Sequence, residues 1–194
     1  MDPPKIGFVT CVHPYYDLPA VTRNRDAAVA ALEAADCRVL PMRIPQTAPD
    51  ATEIAAQLKG SAVDLVLLFF CTWVAEDITL TLARQIGELP MLLWGLPYLD
   101  KDTPMPSPIS GLTASGSNIR RLGKPFVHLV GPVDSERIQE VVRTAQVGAV
   151  IRRLRRARFG LMGAPCPGML DVVCEEADLE RILGVTTVHL ELEE

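Results

Sequence analysis

Two short segments of this 194-residue chain hold the side chains best suited to chemistry. The segment Thr10–Asp17, TCVHPYYD, contains His13, one of three histidines, and Cys71–Asp77, CTWVAED, contains Trp73, one of two tryptophans. An imidazole can exchange hydrogen bonds and an indole face can stack on an apolar surface. Polar and aromatic groups concentrated on loops are what a small-molecule site needs.

Each of these side chains also has a purely structural alternative. His13 precedes a proline in an extended segment and could be a hydrogen-bonding spacer. Trp73 could simply cover the end of a sheet. Glu76 and Asp77 suit the first turn of a helix, where carboxylates interact favourably with the helix dipole.

The cysteines and the charge balance limit the compartment and the partners. Five widely spaced cysteines form neither a disulfide framework nor a CxxC pair, which indicates a reducing compartment. Cys11 and Cys71 could supply a thiol nucleophile beside His13, although both positions suit buried strand residues. The formal net charge of −5 gives no electrostatic footprint for nucleic acid. With no secretory signal pattern and no apolar run of membrane length, we expect a cytoplasmic protein without a membrane partner.

Short apolar runs alternate with segments of helical period, which predicts βαβ units and a parallel sheet covered on both faces. We expect a doubly wound α/β fold, flavodoxin-like or Rossmann-like, with three αβα layers. The predicted strands are Lys5–Val12, Cys37–Met42, Asp64–Cys71, Met91–Trp94 and Phe126–Val130. The predicted helices are Pro19–Ala35, Asp50–Leu58 with Asp50 as N-cap, a segment from Ile78 to Leu89, Asn118–Leu122 and Ser135–Arg156.

The region before the fourth helix is predicted to be a loop from Gly95 to Ser117, because it is rich in Pro, Gly and Ser. Within it, Thr113–Asn118 could cradle an anion or cap the short helix. Neither a P-loop nor a GxGxxG motif is present.

The ligand crevice of such a sheet lies at the carboxyl ends of the strands, where the strand order reverses. In the order 2-1-3-4-5 this point lies between strands one and three. We therefore expect His13 and Trp73 to line one shared cleft.

The chain is predicted to divide into a flavodoxin-like domain, residues 1–157, and the start of a second α/β unit, residues 158–194. The second part contains a strand at RFGLMGA, a helix near Cys174–Leu183 and a strand Thr187–Leu192. This incomplete βαβ unit leaves apolar side chains without a full sheet to pack on, so we expect a homo-oligomer.

A collinear series of segments resembles the L-fucose/L-arabinose isomerase family over essentially the whole chain. The segments are KIGFVTCVHPYYD, FFCTWVAED, PMLLWGLP, GSNIRRLGKPFVHLVG and RFGLMGAPCPGML followed by ILGV. In that family the matched region is the first α/β domain and the opening of the second. Full-length relatives continue into a domain that carries the Glu, Asp and His ligands of a divalent metal.

The resemblance implies the N-terminal part of a sugar isomerase, an enzyme that interconverts aldose and ketose through an enediol with Mn²⁺. His13 falls where the fucose isomerase branch has an arginine before the proline, and Trp73 matches that branch's aromatic residue. The predicted contacts to a small sugar substrate are His13, Trp73 and Glu76, with no catalytic residue and no metal ligand in this chain. The chain alone is expected to be inactive, with Mn²⁺ bound only by the full-length enzyme.

Two alternatives remain. One is a non-catalytic flavodoxin-like binding or assembly module. The other is a flavin or nucleotide binder, which the sequence disfavours because Thr10–Pro14 lacks the Gly, Ser and Thr run of a phosphate cradle.

Overall fold

A computed structural model describes residues 2–16, 18–100, 107–163, 167–169 and 175–190. The chain divides into two compact units, residues 1–148 and 149–194. The sequence-based division into a domain of residues 1–157 and a second unit of residues 158–194 stays a prediction.

The first unit is a parallel sheet with helices on both faces. Its strands are β1 Lys5–Cys11, β2 Arg38–Pro41, β3 Leu65–Phe70, β4 Met91–Gly95 and β5 Val127–Val130. Its helices are α1 Leu18–Ala34, α2 Ala48–Gly60, α3 Glu76–Gln85, α4 Pro108–Arg121 and α5 Ser135–Leu154, the last of which runs past residue 148. All strand pairs are parallel and the order is β2-β1-β3-β4-β5. The predicted doubly wound α/β class and three-layer architecture are confirmed.

The central strand β3 supplies both layers of the core. Leu65, Leu67 and Phe69 face one core cluster, whereas Val66, Leu68 and Phe70 face the other, and all six are fully buried. A strand covered on both faces has no polar side, which explains its continuous apolar sequence. Its neighbour β1 pairs with it in a register that places Cys11 opposite Phe70. The chain segments that leave the carboxyl ends of β1 and β3 therefore start side by side.

Helix α2 begins earlier than expected, because its N-cap is Thr47 and not Asp50. Asp50 occupies the N3 position and completes a capping box. Its backbone N–H donates to Thr47 Oγ1 at 3.3 Å, and its carboxylate accepts from the Thr47 N–H at 2.9 Å. Hydrogen bonds from the Arg43 guanidinium and from the Gln46 backbone lower the pKa of Asp50 from 3.8 to about 2.

The predicted loop from Gly95 to Ser117 is wrong from Pro108 onward, because helix α4 begins at Pro108 and ends at Arg121. Its Gly and Ser residues are poor helix formers in isolation, but their small size allows close packing. A Cβ on Gly111 would lie 2.9 Å from the Thr72 carbonyl oxygen and 3.1 Å from Trp73 Cα. The segment Thr113–Asn118 lies inside this helix, so its N–H groups serve the helix and neither cradle an anion nor cap a helix.

The second unit contains β6 Arg158–Met162, α6 Glu176–Leu183 and β7 Thr186–Leu190. The two strands form a separate parallel sheet. Helix α6 has no buried residue. The predicted start of this helix at Cys174 and the predicted end of the last strand at Leu192 lie outside the described residues. No helix in the described part of the chain is long and apolar enough to cross a membrane.

Candidate functional site

The carboxyl ends of β1 and β3 bring His13 and Trp73 into direct contact. Their ring centroids lie 4.6 Å apart, and the rings stack with 30° between their planes. Both residues follow strands that pair side by side at the point where the strand order reverses. The predicted juxtaposition of these two residues is confirmed, whereas their role as substrate contacts stays a prediction.

Thr72 holds the two loops together. Its buried hydroxyl accepts a hydrogen bond from the His13 backbone N–H at 2.8 Å and lies 2.7 Å from the Trp73 carbonyl oxygen, to which it donates. One residue before Thr72, the Cys71 N–H donates to the Cys11 carbonyl oxygen at 3.0 Å. Sequence reasoning missed this threonine. The available signal was a hydroxyl side chain placed directly between a buried strand and an exposed tryptophan.

Tyr15 adds a third ring in contact with His13. The two ring centroids are 4.6 Å apart, with 35° between the planes. The chain turns at His13-Pro14-Tyr15-Tyr16, where the Tyr16 N–H donates to the His13 carbonyl oxygen at 3.1 Å and proline takes the second turn position. The Tyr15 side chain is 90% exposed. The sequence had placed Tyr15 in this segment without giving it a role.

The hydrogen bonding of His13 fixes what its imidazole can offer to a ligand. The Tyr15 backbone N–H donates to Nδ1 over 3.4 Å. In the neutral ring one nitrogen accepts and the other carries the proton, so Nε2 is the donor. The imidazole is half-buried and contacts both rings, and Trp73 retains 39% of its surface exposed. The cluster therefore presents an N–H donor beside a partly exposed indole.

Glu76 is held by the helix next to it. It begins α3, and its carboxylate accepts a hydrogen bond from the Asn118 side-chain amide of α4. One turn along, Thr79 Oγ1 and Ser115 Oγ form a buried hydrogen bond of 2.9 Å between the same two helices. These contacts give Glu76 a structural task in joining α3 to α4. Its predicted contact with a substrate is not tested by them.

Cys11 and Cys71 do not form a nucleophile with His13. Both are buried, and they belong to the core clusters on opposite faces of the sheet. Burial raises the pKa of the Cys71 thiol to about 12 and raises that of Cys11 further. A thiol so far from ionisation at neutral pH is a poor nucleophile, which supports the packing alternative.

Among the residues that the structure describes, no group of three or more His, Cys, Asp or Glu side chains is placed to hold a metal ion. Among the described residues at the ends of β1 and β3, several oxygen or imidazole ligands do not converge on one point, as a divalent cation requires. The described residues therefore do not fit the Mn²⁺ centre that the family resemblance implies for a full-length enzyme.

The chain is similar to curated sulfoquinovose isomerases. Those of Priestia aryabhattai and of Priestia megaterium (strain ATCC 12872 / QMB1551) are each 23% identical to it over 159 residues. The matched region is 80% of this chain but 35% of each relative, so the chain spans about a third of their length. The match is distant, and it is to a sugar isomerase, the class that the sequence resemblance indicates.

Solved structures show weaker likenesses. A lysine decarboxylase of Francisella novicida gives a TM-score of 0.47 at 12% identity and covers 87% of this chain and 22% of its own. An azoreductase from Bacillus anthracis str. Sterne gives 0.37 at 11% identity, with 75% of this chain and 98% of its own covered. At such TM-scores neither likeness carries an argument about function. No family model matches the chain.

Proposed function

We propose that this chain is the N-terminal part of a sugar isomerase of the L-fucose/L-arabinose type, in which the His13–Trp73 pair contacts the sugar. The observation that carries the proposal is the stacking of these two rings at 4.6 Å, at the switch point of the sheet. The distant similarity to sulfoquinovose isomerases supports the same enzyme class. An assembly of several copies completes the proposal, since the family resemblance implies that this domain reaches into the site of a neighbouring subunit.

The cluster suits the recognition of a sugar rather than the chemistry on it. The exposed face of Trp73 can pack against the C–H edge of a sugar, and the Nε2–H of His13 can donate to a hydroxyl oxygen. Thr72 fixes both backbones before a ligand arrives, so little conformational entropy is lost on binding. These residues would orient the substrate while the carbons react elsewhere.

Isomerisation moves a proton between adjacent carbons through an enediol and needs a base near those carbons. A bound Mn²⁺ would polarise the two sugar oxygens. Because the described residues do not fit a metal centre, the metal and the base are proposed to belong to the remainder of a longer enzyme. The sugar specificity is part of the proposal: L-fucose and L-arabinose from the family resemblance, and sulfoquinovose from the curated relatives.

A non-catalytic sugar-binding module is the second candidate, and the absence of a metal-binding cluster among the described residues favours it. Both candidates require the same contact between Trp73 and the sugar. They differ in whether the protein converts the sugar or only binds it.

Calorimetric titration of the purified 194-residue chain with each of the three sugars tests the shared part of the proposal. We expect one sugar to bind, and Trp73→Ala to weaken its affinity about tenfold, equivalent to about 1.4 kcal/mol. The matched control is Tyr98→Ala, which removes an exposed aromatic side chain from the loop after β4 and should leave the affinity unchanged. Equal affinities for the native chain and Trp73→Ala would contradict the proposed contact.

A further inference from the structure

The two edges of the five-stranded sheet are protected very differently. Strand β2 starts with Arg38 and ends with Pro41, and both side chains are exposed. A charge and a proline on an edge strand hinder pairing with another chain. Strand β5 contains no proline, lysine, arginine or carboxylate; its His128 is exposed, and its Val127 and Val130 are 48% and 40% exposed. The β5 edge is therefore a template for a further strand, whereas the β2 edge is not.

A groove lies along the unprotected edge, between β5 and α5. Its volume is about 210 Å³. It is lined by strand residues, which are apolar except for His128, and by polar residues of the helix: Leu92, Val127, His128, Leu129, Glu140, Arg143 and Thr144. A strand that paired with β5 would direct every second side chain towards the α5 side of the sheet. The groove is the space that those side chains would fill.

The charges on the wall of the groove complement each other between two copies of the same surface. Glu140 and Arg143 are three residues apart on α5, and neither forms an ion pair with another residue in the described part of the chain. A two-fold axis that passes between Glu140 and Arg143 at the β5 edge would place Glu140 of one copy opposite Arg143 of the other, and would form the reverse pair as well. The exposed Val147, one turn further along α5, extends the same face with apolar surface.

We propose that the β5 edge binds a second copy of this chain, with the two β5 strands antiparallel and the two α5 helices side by side. A second copy is the occupant that automatically supplies a matching strand edge and the reciprocal Glu140–Arg143 pairs. The proposal does not depend on the proposed function. It places the interface on residues of the first unit, whereas the sequence-based expectation of self-association rested on the apolar residues after Arg158.

Sedimentation equilibrium of the full chain over a concentration series tests this interface by charge exchange. We expect a dimer for the native chain and a dissociation constant raised about tenfold in Glu140→Arg and in Arg143→Glu, because each change places like charges opposite each other. The double variant with both changes restores the reciprocal pairs and should return the dissociation constant close to the native value. Circular dichroism of every variant checks that the fold is retained.

Two further variants keep the test decisive. Val130→Lys puts a charge on the strand edge and should also prevent dimerisation. Met162→Glu puts a charge on exposed apolar surface of the second unit and should leave the dimer intact. A native chain that remains monomeric at about 100 μM overturns the proposal, because its free energy of association would then be weaker than about 5–6 kcal/mol. It is equally overturned by a dimer that the charge exchange does not affect, or by one that only Met162→Glu removes.

Discussion

The two tryptophans of this chain lie near the same end of neighbouring strands but in opposite environments. Trp94 lies within β4, is fully buried, donates through Nε1 to the Gly131 carbonyl oxygen at 2.9 Å, and meets Phe69 edge-on with ring centroids 5.0 Å apart. Trp73 lies beyond the end of β3, remains partly exposed, and stacks on His13. Within a hydrogen-bonded strand, the strand itself sets the direction of each side chain. Beyond the end of the strand, a side chain is positioned by the contacts of its loop.

This difference separates stability from binding. The ring of Trp94 is surrounded by protein and has no surface left for a ligand. Trp73 stacks on His13, its backbone is fixed by Thr72, and 39% of its surface remains exposed. The comparison predicts that substitutions at the two positions affect different measurements.

The largest expected effect is on the stability of Trp94→Ala. Removing a buried tryptophan costs about 3–5 kcal/mol, through lost burial and an unfilled cavity. The matched substitution Trp73→Ala should cost about 1 kcal/mol or less, because Trp73 is partly exposed and belongs to neither core cluster. Urea unfolding followed by circular dichroism measures both. Comparable losses of unfolding free energy would mean that Trp73 is a core residue after all.

The next effect is expected from Gly111→Ala in α4. Alanine improves helix propensity by about 1 kcal/mol. However, its Cβ would meet the Thr72 carbonyl oxygen at 2.9 Å, and backbone cannot move aside as a flexible side chain can. Overpacking of this kind typically costs about 1–3 kcal/mol, so we expect a net loss of stability and weaker sugar binding, as Thr72 and Trp73 are displaced.

The control for this substitution is Gly60→Ala, because a Cβ at the end of α2 would meet nothing within 4 Å. It should be neutral or slightly stabilising and leave sugar binding unchanged. If Gly111→Ala behaved in the same way, α4 would not support the loop that carries Trp73.

The smallest effect on stability is expected from Asp50→Asn, a substitution in the first turn of α2. The pKa of Asp50 is lowered from 3.8 to about 2 in the folded chain, so the unfolded chain takes up the proton first as the pH falls. Its stabilising contribution is therefore complete above pH 3.8 and is lost between that pH and about 2. Unfolding midpoints measured against pH should fall less steeply over this interval in Asp50→Asn than in the native chain. Parallel curves would contradict the capping box, and the indole emission should not change in either case.

How far the sequence predicted the fold depended on where each element obtains its stability. Strand β3 was predictable because a strand buried on both faces is apolar throughout. Helix α4 was not, since its stability comes from close packing of Gly111 and Gly116 and from the buried Ser115 hydrogen bond, none of which a propensity scale detects.

The candidate site divides in the same way. The proximity of His13 and Trp73 follows from parallel strands and their order, so it could be predicted without side-chain coordinates. The hydrogen bonds of Thr72, the ring of Tyr15 against His13, and the contact between Asn118 and Glu76 depend on rotamers and loop geometry. The contact between Asn118 and Glu76 also depends on α4, most of which has the sequence pattern of a loop.

The central claim, that Trp73 and not Trp94 meets the sugar, can be measured in the native chain by nuclear magnetic resonance. The ¹⁵N-labelled protein should give two indole N–H signals, which Trp73→Phe assigns. Titration with the sugar that binds in calorimetry should shift the Trp73 signal to saturation, while the signal of Trp94, hydrogen-bonded in the core, stays in place as an internal reference. A saturating shift of the Trp94 signal alone, or binding that moves neither signal, would contradict the account.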